Sequence, residues 1–259
     1  MKIPFTKAHG ARNDFLLTWR DDLPEVASPE LARAICDRHT GVGADGWIVM
    51  SGSQDADAAI ELWNSDGSTS PISGNGTRCA AALVMKSDNV RIRTGAGLKH
   101  LRLLNRTGRV YCFEMNMGRP AIEDLRATLL GQDATILNVG NPQCAVFVSD
   151  FSIDWPGIGA RIERDPRFPD RTNVSFIRVA GPRAIEVRFF ERGAGETMSS
   201  GTGSTGAAAA AVARGLVESP VEVRTEAGPL TARWQDDDVF LTGPAEIVAV
   251  GEFYFSHGE

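Results

Sequence analysis

The sequence predicts an α/β protein, more closely α+β, made of two similar domains that arose by internal duplication. Three observations predict it. Ile60-Glu61-Leu62-Trp63-Asn64 aligns with Val187-Arg188-Phe189-Phe190-Glu191 at an offset of 127 residues, close to half of the 259. Without a gap, the same offset lays Ser73-Gly74-Asn75-Gly76-Thr77 over Ser200-Gly201-Thr202-Gly203-Ser204, and Ala80-Ala81-Ala82 over Ala207-Ala208-Ala209. At an offset of 128, Asp45 and Trp47-Ile48-Val49 lie over Asn173 and Ser175-Phe176-Ile177, and Asn13 lies over Asn141. Gly and Ala are common enough for one such match by chance. Several matches in order at nearly one offset mark a repeat.

Each half then reads strand, helix, strands, helix, strands. In the first, 15–19 is strand-like and 29–38 helical, with Ser28 as N-cap and Pro29 at the first helical position. Residues 47–50 and 58–63 read as strands, 74–86 as a helix, and 90–94, 98–104 and 110–115 as an antiparallel meander. In the second half, 145–148 is a strand, 157–164 a helix, and 174–178 and 184–190 are strands. A helix over 201–214 follows, stopped by Gly215, and 221–225, 230–234 and 239–241 complete the set. The two central helices carry alanine at 80–82 and 207–211, so they are small-sided and apolar nearly all round. Such helices suit burial inside a curved sheet. The expected division is 1–117, joined by a C-terminal strand at 246–259, and 118–245, with the crossing near Gly118-Arg119-Pro120.

Composition narrows the function. Apolar residues make up 42%, enough for a core in each half. The formal net charge of −6, with no Lys/Arg cluster, argues against nucleic acid as a partner. Cys36, Cys79, Cys112 and Cys144 are scattered, with no Cys-x-x-Cys pair, and read as free thiols of a reducing cytoplasm. The first residues lack the apolar stretch of a signal peptide, and the apolar run 207–213 is far too short to span a membrane. His9, His39, His100 and His257 have no metal-ligand spacing, so no metal is expected. His9, near Asn13, is read as a structural residue.

The two Ser-Gly-x-Gly turns are the strongest chemical signal. Glycine permits a tight turn and close approach of a ligand to backbone amides. The helix that follows offers unpaired N–H groups and partial positive charge to an anion. One such turn is equally well explained by a serine N-cap with packing glycines; two at symmetric positions point to a ligand. Gly201-Thr202-Gly203-Ser204-Thr205-Gly206 matches a dinucleotide fingerprint, but ten residues separate it from Phe190, and its twin at Gly74 lacks the third glycine. No nucleotide cofactor is therefore expected. Glu191-Arg192 ends a strand before the second turn, where Asn64-Ser65 stands in the first half. Arginine can grip a carboxylate with two parallel hydrogen bonds and glutamate can hold an ammonium. With Asn13, Asn141 and Asn173 recurring at strand edges, the set would read both ends of an amino acid. No Gly-x-Ser-x-Gly elbow is present, and Ser73 and Ser200 have no evident histidine partner, so serine-hydrolase chemistry has little support.

Over nearly its whole length the chain resembles the cofactor-independent diaminopimelate epimerase family. The resemblance is carried by Lys7-Ala8-His9-Gly10-Ala11-Arg12-Asn13-Asp14-Phe15, Arg38-His39-Thr40-Gly41-Val42-Gly43-Ala44-Asp45 and Asn64-Ser65-Asp66-Gly67-Ser68. It continues through Gly74-Asn75-Gly76-Thr77-Arg78-Cys79, Gly140-Asn141-Pro142, Arg167-Phe168-Pro169 and Thr172-Asn173. It ends with Glu191-Arg192-Gly193-Ala194-Gly195-Glu196-Thr197 and Gly201-Thr202-Gly203. The resemblance implies two α/β halves, each a curved, mostly antiparallel sheet around a central helix, with the substrate in the cleft between them. It implies two thiols, one per half, that take the α-proton from one face and return a proton to the other. By the same resemblance Asn13, Asn64, Asn173, Glu191 and Arg192 hold the substrate's amino and carboxylate groups. The amides of Gly74, Asn75, Gly201 and Thr202 hold the reacting carboxylate, and no cofactor is needed.

The chain departs from that pattern at the reacting positions. Ser73 and Ser200 stand where the two cysteines are expected, Cys79 matches a different and non-catalytic cysteine, and Gln143 and Gly46 replace a histidine and a glutamine. A thiol titrates near 8.5 and helix dipoles lower it, whereas a serine hydroxyl needs an adjacent base. Three readings stay open. The first is an epimerase of diaminopimelate, or a close relative, in lysine and cell-wall precursor synthesis, with Ser73, Ser200 and Glu191 as catalytic residues and the serines either working or deliberately substituted. The second is a one-base isomerase or dehydratase driven by Glu191, and the third a non-enzymatic amino-acid binder. The expected partners are a small amino-acid substrate and a second copy in a homodimer, with neither nucleic acid nor membrane.

Overall fold

Apolar side chains on alternate residues make most of the strands. In Val110–Gly118, Tyr111, Phe113, Met115 and Met117 are buried while the residues between them are not. Four strands instead carry unbroken buried runs: Asn13–Trp19 and Pro142–Phe147 bury four consecutive residues each, and Gly46–Ser51 and Asn173–Gly181 five each. A strand buried on both faces needs a layer on each side, and the helices supply it. The computed structural model describes residues 1–23 and 27–256; His257 and the end of the expected strand 246–259 lie outside them. The described chain divides into two compact units, Met1–Met115 with Gly243 onward, and Asn116–Thr242.

In the first unit the elements are β1 (Lys2–Gly10), β2 (Asn13–Trp19), α1 (Pro29–Cys36), β3 (Gly46–Ser51), β4 (Ala58–Asn64), β5 (Thr69–Ser70), α2 (Gly74–Val84), β6 (Asn89–Thr94), β7 (Gly97–Thr107) and β8 (Val110–Gly118). β2 and β3 pair in parallel, as do β4 and β6. Parallel neighbours need a crossover, and each crossover here is a helix, α1 and α2 respectively. The other strand pairs described in the unit are antiparallel. The last strand of the chain, Asp238–Tyr254, pairs with both β1 and β8, with the Ile247 N–H donating to Arg109 O, and so closes the sheet into a barrel. Helix α2 packs against β1, β2, β3, β4 and β6 from inside. Helix α1 lies outside, where Leu31, Ala32, Ile35 and Cys36 form a core with Trp47, Val49, Leu16 and Ile3. Ser28 caps α1 as expected, its hydroxyl accepting from Leu31 N at 3.2 Å.

The second unit repeats this order. It contains β9 (Ala121–Leu129), β10 (Gln132–Asn138), β11 (Pro142–Phe147), α3 (Trp155–Glu163), β12 (Asn173–Gly181), β13 (Ala184–Glu191), β14 (Gly195–Thr197), α4 (Gly201–Ala213), β15 (Val221–Thr225), β16 (Gly228–Gln235) and the start of β17 (Asp238–Tyr254). Again two pairs are parallel, β11 with β12 around α3 and β13 with β15 around α4. Residues Gly201 to Ala211 of α4 are all buried. Only a helix of glycine, alanine and small hydroxyl residues can sit so close to strands on many sides. Gly215 follows α4 with φ of 69°, the left-handed stop expected of it.

The strand order thus exceeds the expected one by β1, β9 and β10 and by the short strands β5 and β14. β1 carries Pro4, which reads as a break; it is tolerated because residues 2–5 of β1 pair with β17 alone. β9 buries only Ala127 and Leu129, so no alternation shows in its sequence. No helix among the described residues is long and apolar enough to cross a membrane.

Candidate active site

In the first unit the candidate side chains sit at the ends of β2, β3 and β4 and the start of α2. Residues Ala11 and Arg12 both have positive φ, 49° and 62°, and form a two-residue turn between β1 and β2 that sets Asn13 opposite Gly10. Asn13 donates to Asp45 Oδ2 at 2.8 Å and accepts from Asn75 Nδ2 at 3.2 Å. Asp45 is tied to Arg38 at 2.7 Å, and Arg38 also pairs with Asp14 at 2.8 Å. Burial by itself would raise the Asp14 carboxyl. Hydrogen bonds from Arg38 and Lys7, and their charges, outweigh it and hold that carboxyl below the usual range. Asn64 ends β4 and donates to Ser68 Oγ at 2.9 Å, across a turn whose Gly67 has φ of 85°.

Ser73 caps α2. Its Oγ accepts from Gly76 N at 3.1 Å and its carbonyl accepts from Thr77 N at 2.8 Å. That leaves Gly74, at the first helical position, with an N–H that has no helical partner. The second glycine serves packing: a Cβ on Gly76 would lie 2.9 Å from Ile48 Cδ1. Cys79, one turn further on, is fully buried, and burial pushes its thiol up to about 12. It stays protonated near neutral pH and is no substitute base.

In the second unit Ser200 caps α4 in the same way, accepting from Gly203 N at 3.1 Å and, through its carbonyl, from Ser204 N at 2.9 Å. Gly201 and Thr202 occupy the first two helical positions. Gly203 again packs, since its Cβ would meet the Phe189 ring at 2.8 Å. Here the serine does more: its hydroxyl donates to Glu191 Oε1 at 2.5 Å, while Thr197 Oγ1 donates to Glu191 Oε2 at 2.9 Å. Arg192 N donates to Asn173 Oδ1 at 3.0 Å, and Asn173 Nδ2 donates to Pro142 O at 3.1 Å. The Arg192 guanidinium reaches Asp170 O at 2.8 Å. Asn141 Nδ2 donates to Thr202 Oγ1 at 3.3 Å and accepts from Gln143 Nε2 at 2.7 Å.

The structure therefore joins Asn13 with Asn75 in one unit. In the other it joins Ser200 with Glu191, Asn173 with Arg192, and Asn141 with Thr202. Asn64 stands apart, bonded within its own turn. Sequence reasoning missed Thr197, Gln143 and Asp45 as supports of these groups; the Asp45–Asn173 match in the repeat was the available signal for the last. Gly46 leaves little room for a side chain, since its Cβ would lie 2.9 Å from Trp63 O and 3.2 Å from the Phe15 ring. No three His, Cys, Asp or Glu side chains gather as a metal site among the described residues.

Known proteins resemble the chain in fold and in sequence. The hydroxyproline epimerase of Agrobacterium vitis has a similar fold, with a TM-score of 0.74 at 16% identity over 97% of this chain and 90% of its own. A phenazine biosynthesis protein of the PhzF family from Bacillus anthracis has a TM-score of 0.73 at 14% identity, over 98% of this chain and all of its own. In sequence, the chain is 39% identical to the diaminopimelate epimerase of Pelotomaculum thermopropionicum, over 96% of this chain and 98% of the relative. It is 34% identical to that of Halothermothrix orenii over the full length of both. The diaminopimelate epimerase family model matches residues 5–123 and 135–248. The chain belongs to the diaminopimelate epimerase family.

Proposed function

We propose that the chain is a cofactor-independent diaminopimelate epimerase of the cytoplasm, interconverting the LL and meso forms for lysine and cell-wall precursor synthesis. The observation that carries the reading is the hydroxyl of Ser200 held on the Glu191 carboxylate at the start of a buried helix. Relatives named diaminopimelate epimerase, matched over 98% and 100% of their own length, support the same substrate.

In this reading Ser200 Oγ takes the α-proton as its own proton passes to Glu191. The C–H electron pair moves onto the substrate carboxylate, where the N–H groups of Gly201 and Thr202 stabilise the developing charge. By the family resemblance, the Ser73 hydroxyl at the start of α2 gives its proton to the opposite face and re-forms the C–H bond; water reprotonates Ser73, and the hydroxide this leaves takes the proton from Glu191, so both residues return to their starting states. Glu191 supplies the adjacent base that a serine needs. Arg192, Asn173, Asn141, Asn13, Asn64 and Asn75 hold the polar groups of the substrate, and Gly74 adds a further amide. Incubating the LL isomer with the protein and separating the stereoisomers tests this: meso product without added cofactor is expected, and its absence would overturn it. A second reading, a one-base isomerisation or dehydration, is favoured by one observation: among the described residues no carboxylate accepts from Ser73 as Glu191 does from Ser200.

A further inference from the structure

Arg78 is fully buried within the first unit, on α2, where burial lowers it to about 10 and it remains a cation at neutral pH. An unpaired buried charge is costly, and no carboxylate pairs with it among the described residues. Its Nε donates to Pro244 O at 3.1 Å, its Nη2 donates to Asn75 Oδ1, and its Nη1 has no partner. The bond to Asn75 has a consequence further along. With Oδ1 of Asn75 committed to the guanidinium, its Nδ2 must face outward, and it donates to Asn13 Oδ1. Asn13 in turn must present Nδ2, one hydrogen of which goes to Asp45. Asp45 closes the chain on Arg38. Every donor from Arg78 to Asp45 points the same way, from a buried cation toward an anion, and such chains reinforce one another.

We propose that Arg78 is a positioning residue that fixes the amide orientation of Asn75 and Asn13, so that Asn13 offers its remaining N–H to an acceptor oxygen of the ligand. This rests on the reading of Asn13 and Asn75 as substrate-binding groups. A flipped Asn13 would present a carbonyl oxygen and repel a carboxylate. Gly10 supports the arrangement: a Cβ there would lie 3.1 Å from both Cα and Cβ of Asn75 and from Pro244 O, so β1 packs directly on the relay.

The test compares Arg78→Met, which keeps the stem and removes the donors, with Arg78→Lys, which restores one donor. Side-chain amide resonances of Asn13 and Asn75 are followed by ¹H–¹⁵N spectroscopy without ligand, and meso-diaminopimelate binding by calorimetry. The proposal expects loss of hydrogen-exchange protection at both amides and about tenfold weaker binding in Arg78→Met, with partial recovery in Arg78→Lys. Unchanged amide protection and affinity in a folded Arg78→Met would overturn it. If Arg78→Met fails to fold, Asn75→Asp serves: it keeps the guanidinium contact but has no N–H for Asn13. The same weakening is then expected, and unaltered binding and Asn13 protection would overturn the proposal. Should the unmodified protein bind no diaminopimelate while the amides still respond to Arg78→Met, the substrate reading fails and the positioning role stands.

Discussion

Ser73 and Ser200 occupy the same place in two copies of one design, yet they are chemically unequal. Each caps a buried small-residue helix, each accepts from the third helical amide at 3.1 Å, and each is followed by a glycine that packs against a β-strand side chain. Among the described residues only Ser200 also donates to a carboxylate, because β13 ends in Glu191 where the equivalent strand β4 ends in Asn64. Duplication therefore preserved the frame that presents a hydroxyl beside helix amides, and divergence of one strand-end residue decided which hydroxyl meets a carboxylate. The surroundings diverged in the same way. Asn13 is ordered by a carboxylate, Asp45, and by Asn75; its counterpart Asn141 is ordered by neutral groups, Gln143 and Thr202.

The largest break in this comparison is expected from Glu191→Gln, which keeps the shape and removes the base. Turnover should fall by about a hundredfold or more, the contribution usual for a positioned general base; a normal rate in that variant would remove Glu191 from the mechanism. Next, Arg192→Ala should weaken diaminopimelate binding by about 2 kcal/mol in calorimetry, as when one partner of a charge-assisted carboxylate contact is lost. The comparison can also be erased rather than broken. Ser73→Cys combined with Ser200→Cys gives both positions a group that ionises without Glu191, and epimerisation should rise by about tenfold or more, with much less from either change alone. Smallest is the packing effect. Gly203→Ala forces a Cβ to within 2.8 Å of the Phe189 ring and should cost about 1–3 kcal/mol in denaturant unfolding. Gly76→Ala meets only the flexible end of Ile48 and should cost less.

The repeat made most of the fold legible. Because Ser73, Asn64 and Asn13 align with Ser200, Glu191 and Asn141, one reading of the helix starts and strand ends served for both halves. The alanines of α2 and α4 announced their burial. β1, β9 and β10 stayed hidden for local reasons: a proline in β1 and mostly exposed side chains in β9 obscure the alternation that marks a strand, and β10 follows a tight turn in which Leu130 itself has φ of 50°. The sequence named the candidate site residues but not the bonds between them. Nothing in the order Glu191 to Ser200 says that the hydroxyl finds the carboxylate. That contact depends on β14, a three-residue strand that folds back on β13 and also brings Thr197 to Glu191. The relay from Arg78 to Asp45 joins residues far apart in sequence, and only the pairing of β1, β2 and β3 around α2 assembles it.

The inequality of the two serines is tested most directly by α-proton exchange in heavy water, followed by proton NMR on the LL and meso isomers of diaminopimelate. With Ser200 and Glu191 removing the proton and Ser73 serving the opposite face, Ser73→Ala should still wash deuterium into the α-carbon of one isomer while inversion is lost. Ser200→Ala should abolish both on that isomer. Equal loss of exchange and inversion in the two variants, on both isomers, would contradict the account.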